Sequence, residues 1–170
     1  MFQNHPKIDV KPNRTDYIIL LLGWILIGCH VAYVWLSFTN LPETIPVHFN
    51  ISGEADGFGS KNTIWFILAI SVLLYALLAF LVQRVKPWNF NYPAAVTKKN
   101  AAKIYAMGIR MIVLINLGTA LLFLVISIMV VSKANLTSSE FLPFVFWALV
   151  IGITVGPFLS IFAMNKIARE

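Results

Sequence analysis

The run Tyr17–Phe38, YIILLLGWILIGCHVAYVWLSF, contains no Asp, Glu, Lys or Arg. A helix of roughly 20 apolar residues crosses the hydrocarbon layer of a bilayer. Within lipid, a helix satisfies every backbone N–H and C=O internally. Three more runs pass the same test. They are Ile64–Val82 (IWFILAISVLLYALLAFLV), Met111–Val131 (MIVLINLGTALLFLVISIMVV) and Phe141–Met164 (FLPFVFWALVIGITVGPFLSIFAM). The whole chain agrees: 59% of its 170 residues are hydrophobic and 12% are charged, where a soluble domain carries about a quarter charged. The pattern predicts an all-α membrane protein, a four-transmembrane-helix bundle over residues 17–164. A polar arm (1–16) precedes it and a short tail (165–170) follows. An outer loop (39–63) and an inner basic segment (83–110) join the spans, leaving no room within these residues for a separate soluble domain.

The first run is longer than the apolar region of a typical cleaved signal, about 7–15 residues. A polar loop and three further spans follow it. Basic residues give the expected orientation, because Lys and Arg collect on the cytoplasmic side. Lys7, Lys11 and Arg14 lie in the arm. Arg84, Lys86, Lys98, Lys99, Lys103 and Arg110 lie between spans two and three, and Lys166 and Arg169 in the tail. These are eleven of the thirteen; Lys61 and Lys133 fall on the other side. Both termini are therefore expected on the cytoplasmic face of a bacterial plasma membrane, with loop 39–63 outside. The net charge of +6 is read as topology, so no nucleic-acid partner is invoked.

The arm, with Pro6 and Pro12, is expected to be mobile. The segment Lys86–Pro93, KPWNFNYP, cannot be one helix because Pro87 and Pro93 interrupt it. Its Trp88, Phe90 and Tyr92 suit the headgroup zone. From Thr97 a helix of roughly 35 residues, about 50 Å long, is expected, with Thr97 as its cap.

Polar residues within spans are functional candidates or interhelical hydrogen-bonding groups. His30 and Asn116 stand out, beside Ser71, Tyr75, Thr119, Ser127, Thr154 and Ser160. Packing and hydrogen bonding between helices is the plainer reading of both. Pro157 predicts a kink, or more sharply the break of a discontinuous transporter helix. Ion-coupled carriers place a carboxylate near the midplane, and no span holds one. Cys29 is the sole cysteine, so no internal disulfide forms, and it reads as a small apolar side chain. Four helices can stand alone or pair as a homo-oligomer; Gly23 and Gly28 of span one do not form a GxxxG.

The outer loop contains LPETIPVHFNISGEADGFGSK, Leu41–Lys61. Pro42 and Pro46 stiffen its entry. VHF is expected as a short strand, with His48 opposite in direction to Val47 and Phe49. The remainder reads as turn material, with Gly53, Gly57 and Gly59 free to take positive φ. A folded polar cap is expected, in which Glu54 and Asp56 accept backbone N–H groups and Lys61 pairs with one of them. Glu43, His48 and Asp56 are the candidate ligands of a metal ion, although one histidine with scattered carboxylates is a weak zinc pattern. Ser52, Glu54 and Asp56 only echo a calcium loop, since its twelfth position falls on Thr63. GSK is in the wrong order for a phosphate loop, and HExxH and GxSxG are absent. NIS and NLT match the glycosylation sequon, which is without consequence in a bacterial host.

LPETIPVHFNISGEADGFGSK resembles the signature of the bacterial membrane family called domain of unknown function 1648. NFNYPAAVTKKNAAKIYAMGIRMI resembles its second signature, an Asn-Tyr-Pro followed by a Thr-x-x-Asn-Ala helix. Together they run from Leu41 to Ile112. The family is related to the N-terminal part of SdpI-like proteins. The resemblance therefore implies immunity to a secreted peptide toxin and signalling through a cytoplasmic regulator. TKKN stands here where an acidic TEEN is expected, and acidic residues suit a helix start better.

The leading expectation is a non-enzymatic immunity or signalling protein whose outer loop recognises an extracytoplasmic ligand such as a peptide. Phe49, Ile51 and Phe58 would supply apolar contacts. Glu43, His48, Asn50, Glu54, Asp56 and Lys61 would supply polar ones. The alternative is a membrane enzyme or metal site on Glu43, His48 and Asp56, and the third a small transporter. No cofactor beyond that metal ion is expected.

Overall fold

A computed structural model describes residues 5–137 and 140–169. Part of the arm (1–4), Ser138 and Ser139 of the second outer loop, and Glu170 of the tail lie outside the described residues. Four helices carry the chain: α1 (Arg14–Phe38), α2 (Thr63–Arg84), α3 (Ala101–Ala134) and α4 (Phe141–Arg169). All four are long and apolar enough to cross a membrane. Between α1 and α2 lie two antiparallel strands, β1 (Thr44–Phe49) and β2 (Ala55–Ser60). The structured loop between the first two spans is thus a β-hairpin, a small exception within an all-helical membrane domain.

Helix α3 is the axis, packed against each of the other three helices and against β1. Three apolar clusters stack along it. At the hairpin end Val34, Ile64, Leu68 and Val130 enclose Leu41 and Ile45. At mid-depth Leu20, Ile27, Tyr75 and Val113 meet. At the far end Tyr92, Ile104 and Tyr105 pack with Met164 of α4. Outside these seams the helices present Leu, Ile, Val and Phe outward, as a surface solvated by lipid must.

Helix α1 begins three residues before its apolar run. Asn13 Oδ1 accepts from the Asp16 N–H at 3.0 Å, and Asp16 Oδ2 accepts from the Asn13 N–H at 2.8 Å. This reciprocal cap satisfies two donors that a helix start leaves open. It also draws Asp16 into the interior, 3% exposed. Arg110 of α3 meets it there, its Nε donating to Asp16 Oδ1 and its Nη2 to Asn13 Oδ1 at 3.1 Å.

The described part of the arm is packed, contrary to the expected mobility. Ile8 and Val10 lie against the far-end cluster. The Tyr105 hydroxyl donates to the Pro6 carbonyl at 2.8 Å, and Lys86 reaches Asp9 at 3.1 Å. These partners are remote in sequence, which is why the arm's composition did not reveal them.

The inner segment is irregular as predicted, with one 3-10 turn at Pro87–Asn89. Helix α3 starts at Ala101, three residues later than a cap at Thr97 implies. Asn100, not Thr97, sets the boundary. Its Oδ1 accepts from the Thr97 N–H at 2.8 Å and its Nδ2 donates to the Ala95 carbonyl at 3.1 Å. The side chain closes a turn over 95–100 and so holds the chain out of the helix. Tyr92 is buried and donates to the Pro87 carbonyl at 3.0 Å. Burial, reinforced by Tyr105 beside it, pushes its hydroxyl above the ordinary tyrosine range, so it remains a donor.

Helix α4 runs unbroken through Pro157, so the discontinuous helix of the transporter reading is not seen. It packs on α3, and Met164 is its buried residue. Gly152 and Gly156 do form a GxxxG in this helix, and a Cβ at either would meet nothing within 4 Å.

Candidate recognition site

Hairpin residues 41–61 are fixed to the bundle at three points. Leu41 and Ile45, 5% and 0% exposed, plug into the outer cluster. At the open end of the ladder, Lys61 Nζ meets Glu43 Oε1 at 2.8 Å and sits 5.3 Å from the centre of the Phe38 ring. At the turn, Gly53 (φ 79°) lies against Pro143 of α4, where a Cβ would come within 2.4 Å of Pro143 Cγ. Trp147 Nε1 donates to the Ile51 carbonyl at 3.1 Å.

Asn50 organises that turn. Its Oδ1 accepts from the N–H groups of Ser52 and Glu54, both at 3.0 Å, and its Nδ2 donates to Glu54 Oε2 at 3.1 Å. An Asn in this role replaces backbone partners that a tight turn cannot supply. Asn50 and Glu54 thus spend their polar atoms within the turn.

The second strand corrects the sequence reading. Gly57 and Gly59 are paired strand residues, opposite His48 and Ile45. Among the described glycines Gly53 is the one with positive φ. A Cβ at Gly57 would lie 2.9 Å from His48 Cβ, so the missing side chain is what admits the histidine across the strand. The register shifts on both sides of His48, as bulges do. His48 Nδ1 then donates to Asp56 Oδ1 at 2.5 Å. Both side chains are exposed, so the pair adds little stability.

The expected polar pairings are therefore redistributed. Lys61 holds Glu43 rather than Glu54 or Asp56, Asp56 holds His48, and Glu54 holds Asn50. The three candidate metal ligands do not converge. His48 and Asp56 touch, whereas Glu43 is tied to Lys61 at the other end of β1, about 16 Å away at strand rise. No three His, Cys, Asp or Glu side chains among the described residues come together.

What the hairpin leaves outward is apolar. Phe58 is 61% and Ile51 79% exposed, and Val47 is exposed beside them. Phe49, expected outward, is half-buried against the outer cluster. It forms one wall of an apolar cleft of about 280 Å³, bounded also by Ile51 and Gly53, Met129 of α3, and Pro143 and Trp147 of α4. Pro143 and Trp147 were not singled out from sequence.

The intramembrane candidates bond to residues of neighbouring helices. His30 is fully buried, with Nδ1 3.3 Å from Ser71 Oγ and Nε2 2.8 Å from Ser127 Oγ. An uncharged imidazole has one donor and one acceptor nitrogen, so one serine donates and the other accepts. One residue thereby ties α1 to α2 and α3. Asn116, also fully buried, donates from Nδ2 to the Tyr75 carbonyl at 3.2 Å, and its Oδ1 has no partner among the described residues. The Tyr75 hydroxyl donates to the Leu20 carbonyl at 2.6 Å.

Fold and site define a membrane protein with four apolar helices and an anchored hairpin set on one end of the bundle. A family model described as Domain of unknown function (DUF1648) matches residues 24–72, from within α1 through the hairpin into α2. The match covers the first of the two signatures, and the resemblance seen in the sequence stands there. An "Uncharacterized protein" of Archaeoglobus fulgidus (strain ATCC 49558 / DSM 4304 / JCM 9628 / NBRC 100126 / VC-16) is 33% identical over 86 residues. The aligned segment spans 47% of this chain and 47% of that protein, about half of each. No solved structure matches.

Proposed function

We propose that the protein is a non-enzymatic recognition protein of the cell membrane, whose hairpin meets an apolar or amphipathic peptide outside the cell. The carrying observation is a contrast within one loop. The hairpin is anchored at both ends and at its turn, yet it holds Phe58 in the open on β2 and Ile51 in the open on the wall of an apolar cleft. A rigid aromatic on a fixed strand binds with little loss of conformational freedom. The cleft accommodates a side chain of the bound peptide. Immunity to a secreted peptide, with the hairpin as its capture surface, is the biological form of this reading.

The orientation is tested first. In a Cys29→Ala background, Ser60→Cys is expected to react with a membrane-impermeant maleimide in intact cells. Lys98→Cys is expected to react only after lysis. The reverse pattern would place the hairpin inside and end the proposal.

Recognition is tested by survival. Cells making the protein are challenged with a panel of membrane-active amphipathic peptides. Protection against at least one is expected, and Phe58→Ser should abolish it at unchanged protein level. Equal survival with and without the protein across the panel, or full protection by Phe58→Ser, would count against this surface.

A further inference from the structure

The end of the bundle opposite the hairpin carries a cleft and a charge that suit a single kind of molecule. The cleft measures about 410 Å³, against about 280 Å³ for the cleft beside the hairpin. Phe90, Asn91 and Tyr92 form one wall, Met111 of α3 another, and Ile161 and Met164 of α4 the third. The Tyr92 hydroxyl is turned to Pro87, so this residue offers the cleft its ring. The space is thus apolar with an exposed amide, Asn91, on its rim.

The charge around this end is one-sided. Eleven of the thirteen basic residues gather here. Among the described residues the acidic side chains at this end are Asp9 and Asp16, and both are already engaged, by Lys86 and Arg110. Lys98, Lys103 and Lys166 are exposed, and among the described residues no carboxylate of this end remains for them. An apolar slot between membrane helices, under a field of uncompensated lysines, matches an acyl chain joined to an anionic headgroup. Each Lys or Arg near an anionic lipid surface strengthens attraction, while the long stem lets the ammonium reach the headgroup layer.

We propose that this cleft binds an anionic phospholipid of the adjoining leaflet. One acyl chain lies between the 90–92 wall, α3 and α4, and the phosphate meets the lysines. The site is independent of whatever the hairpin recognises.

Native mass spectrometry of the full chain in detergent tests this, using phosphatidylglycerol and phosphatidylcholine of identical acyl chains. Phosphatidylglycerol is expected to bind roughly tenfold tighter, because lysines at the headgroup layer attract an anionic lipid. The Lys98→Gln, Lys103→Gln, Lys166→Gln triple variant should lose that preference and keep the weaker binding shared by both lipids. Ile161→Trp, which fills the slot, should weaken both lipids several-fold. Met111→Gln, which makes the slot polar without filling it, should act in the same direction if the tryptophan variant fails to fold. Equal affinity for the two lipids in the unaltered protein would overturn the proposal and leave the basic face to a cytoplasmic protein. A preference for phosphatidylglycerol that survives both Ile161→Trp and Met111→Gln would overturn the cleft as its seat.

Discussion

Arg110→Ala is expected to destabilise the folded bundle by about 3 kcal/mol, the lower end of the range for stripping a buried charge of its partner. Asp16 is 3% exposed, and the guanidinium is its cationic contact. Without it the carboxylate keeps one N–H from Asn13 and loses its compensating charge. The half-exposed arginine sets the estimate at the lower end, because water can partly replace it. The pair also joins the start of α1 to α3, so the loss should appear as separation of these helices. Asp16→Asn combined with Arg110→Ala should recover roughly 2 kcal/mol, since an amide can still take the Asn13 N–H and carries no charge to desolvate. Thermal unfolding in detergent, followed by helix content, measures both variants. A single variant that unfolds with the parent would mean that water, not Arg110, solvates Asp16.

Gly23→Val has a comparable expected effect at mid-membrane. A Cβ at Gly23 would lie 2.2 Å from Tyr75 Oη and 2.5 Å from Tyr75 Cε2. The ring cannot stay. Its departure breaks the bond to the Leu20 carbonyl and the edge contact with Trp24, 4.8 Å between centroids. Overpacking costs roughly 1–3 kcal/mol and a lost buried hydrogen bond about 1 more, so about 3 kcal/mol is expected. Gly28→Val on the same helix is the control, because a Cβ there meets nothing within 4 Å. It should change stability by less than about 0.5 kcal/mol, as surface substitutions do. Equal effects at 23 and 28 would show that glycine matters to α1 through backbone flexibility and not through the seat it makes for Tyr75.

The helices were legible because lipid imposes a rule that sequence cannot evade: each crossing needs an unbroken apolar run. All four expected spans lie within observed helices. The ends were less legible, since caps at Asn13 and Asn100 act through side chains folded back on the chain. Strand β2 was illegible for another reason. Ala55–Ser60, ADGFGS, has almost no intrinsic preference for a strand, and its conformation comes from pairing with β1 and from side chains that cross over Gly57 and Gly59. The site was half legible. The loop, its exposed Phe58 and Ile51, and the polar residues to watch were all visible. Which polar groups pair was not, because Glu43–Lys61 and His48–Asp56 follow from strand register. Trp147 and Pro143 reach the hairpin from about 90 residues away, and Arg110 reaches Asp16 across 94.

The single-sided packing of α4 bears on how the chain is put together. Every interhelical hydrogen bond described at mid-membrane, from His30, Tyr75 and Asn116, lies among α1, α2 and α3. These helices are made first, and segments assemble in the order they emerge. The polar interior can therefore close as a three-helix unit before α4 leaves the ribosome. Helix α4 then docks as a late arrival, bringing the floor of one cleft and a wall of the other. Both of these clefts come into being when α4 docks, so a chain truncated before Phe141 should insert and hold together yet offer neither.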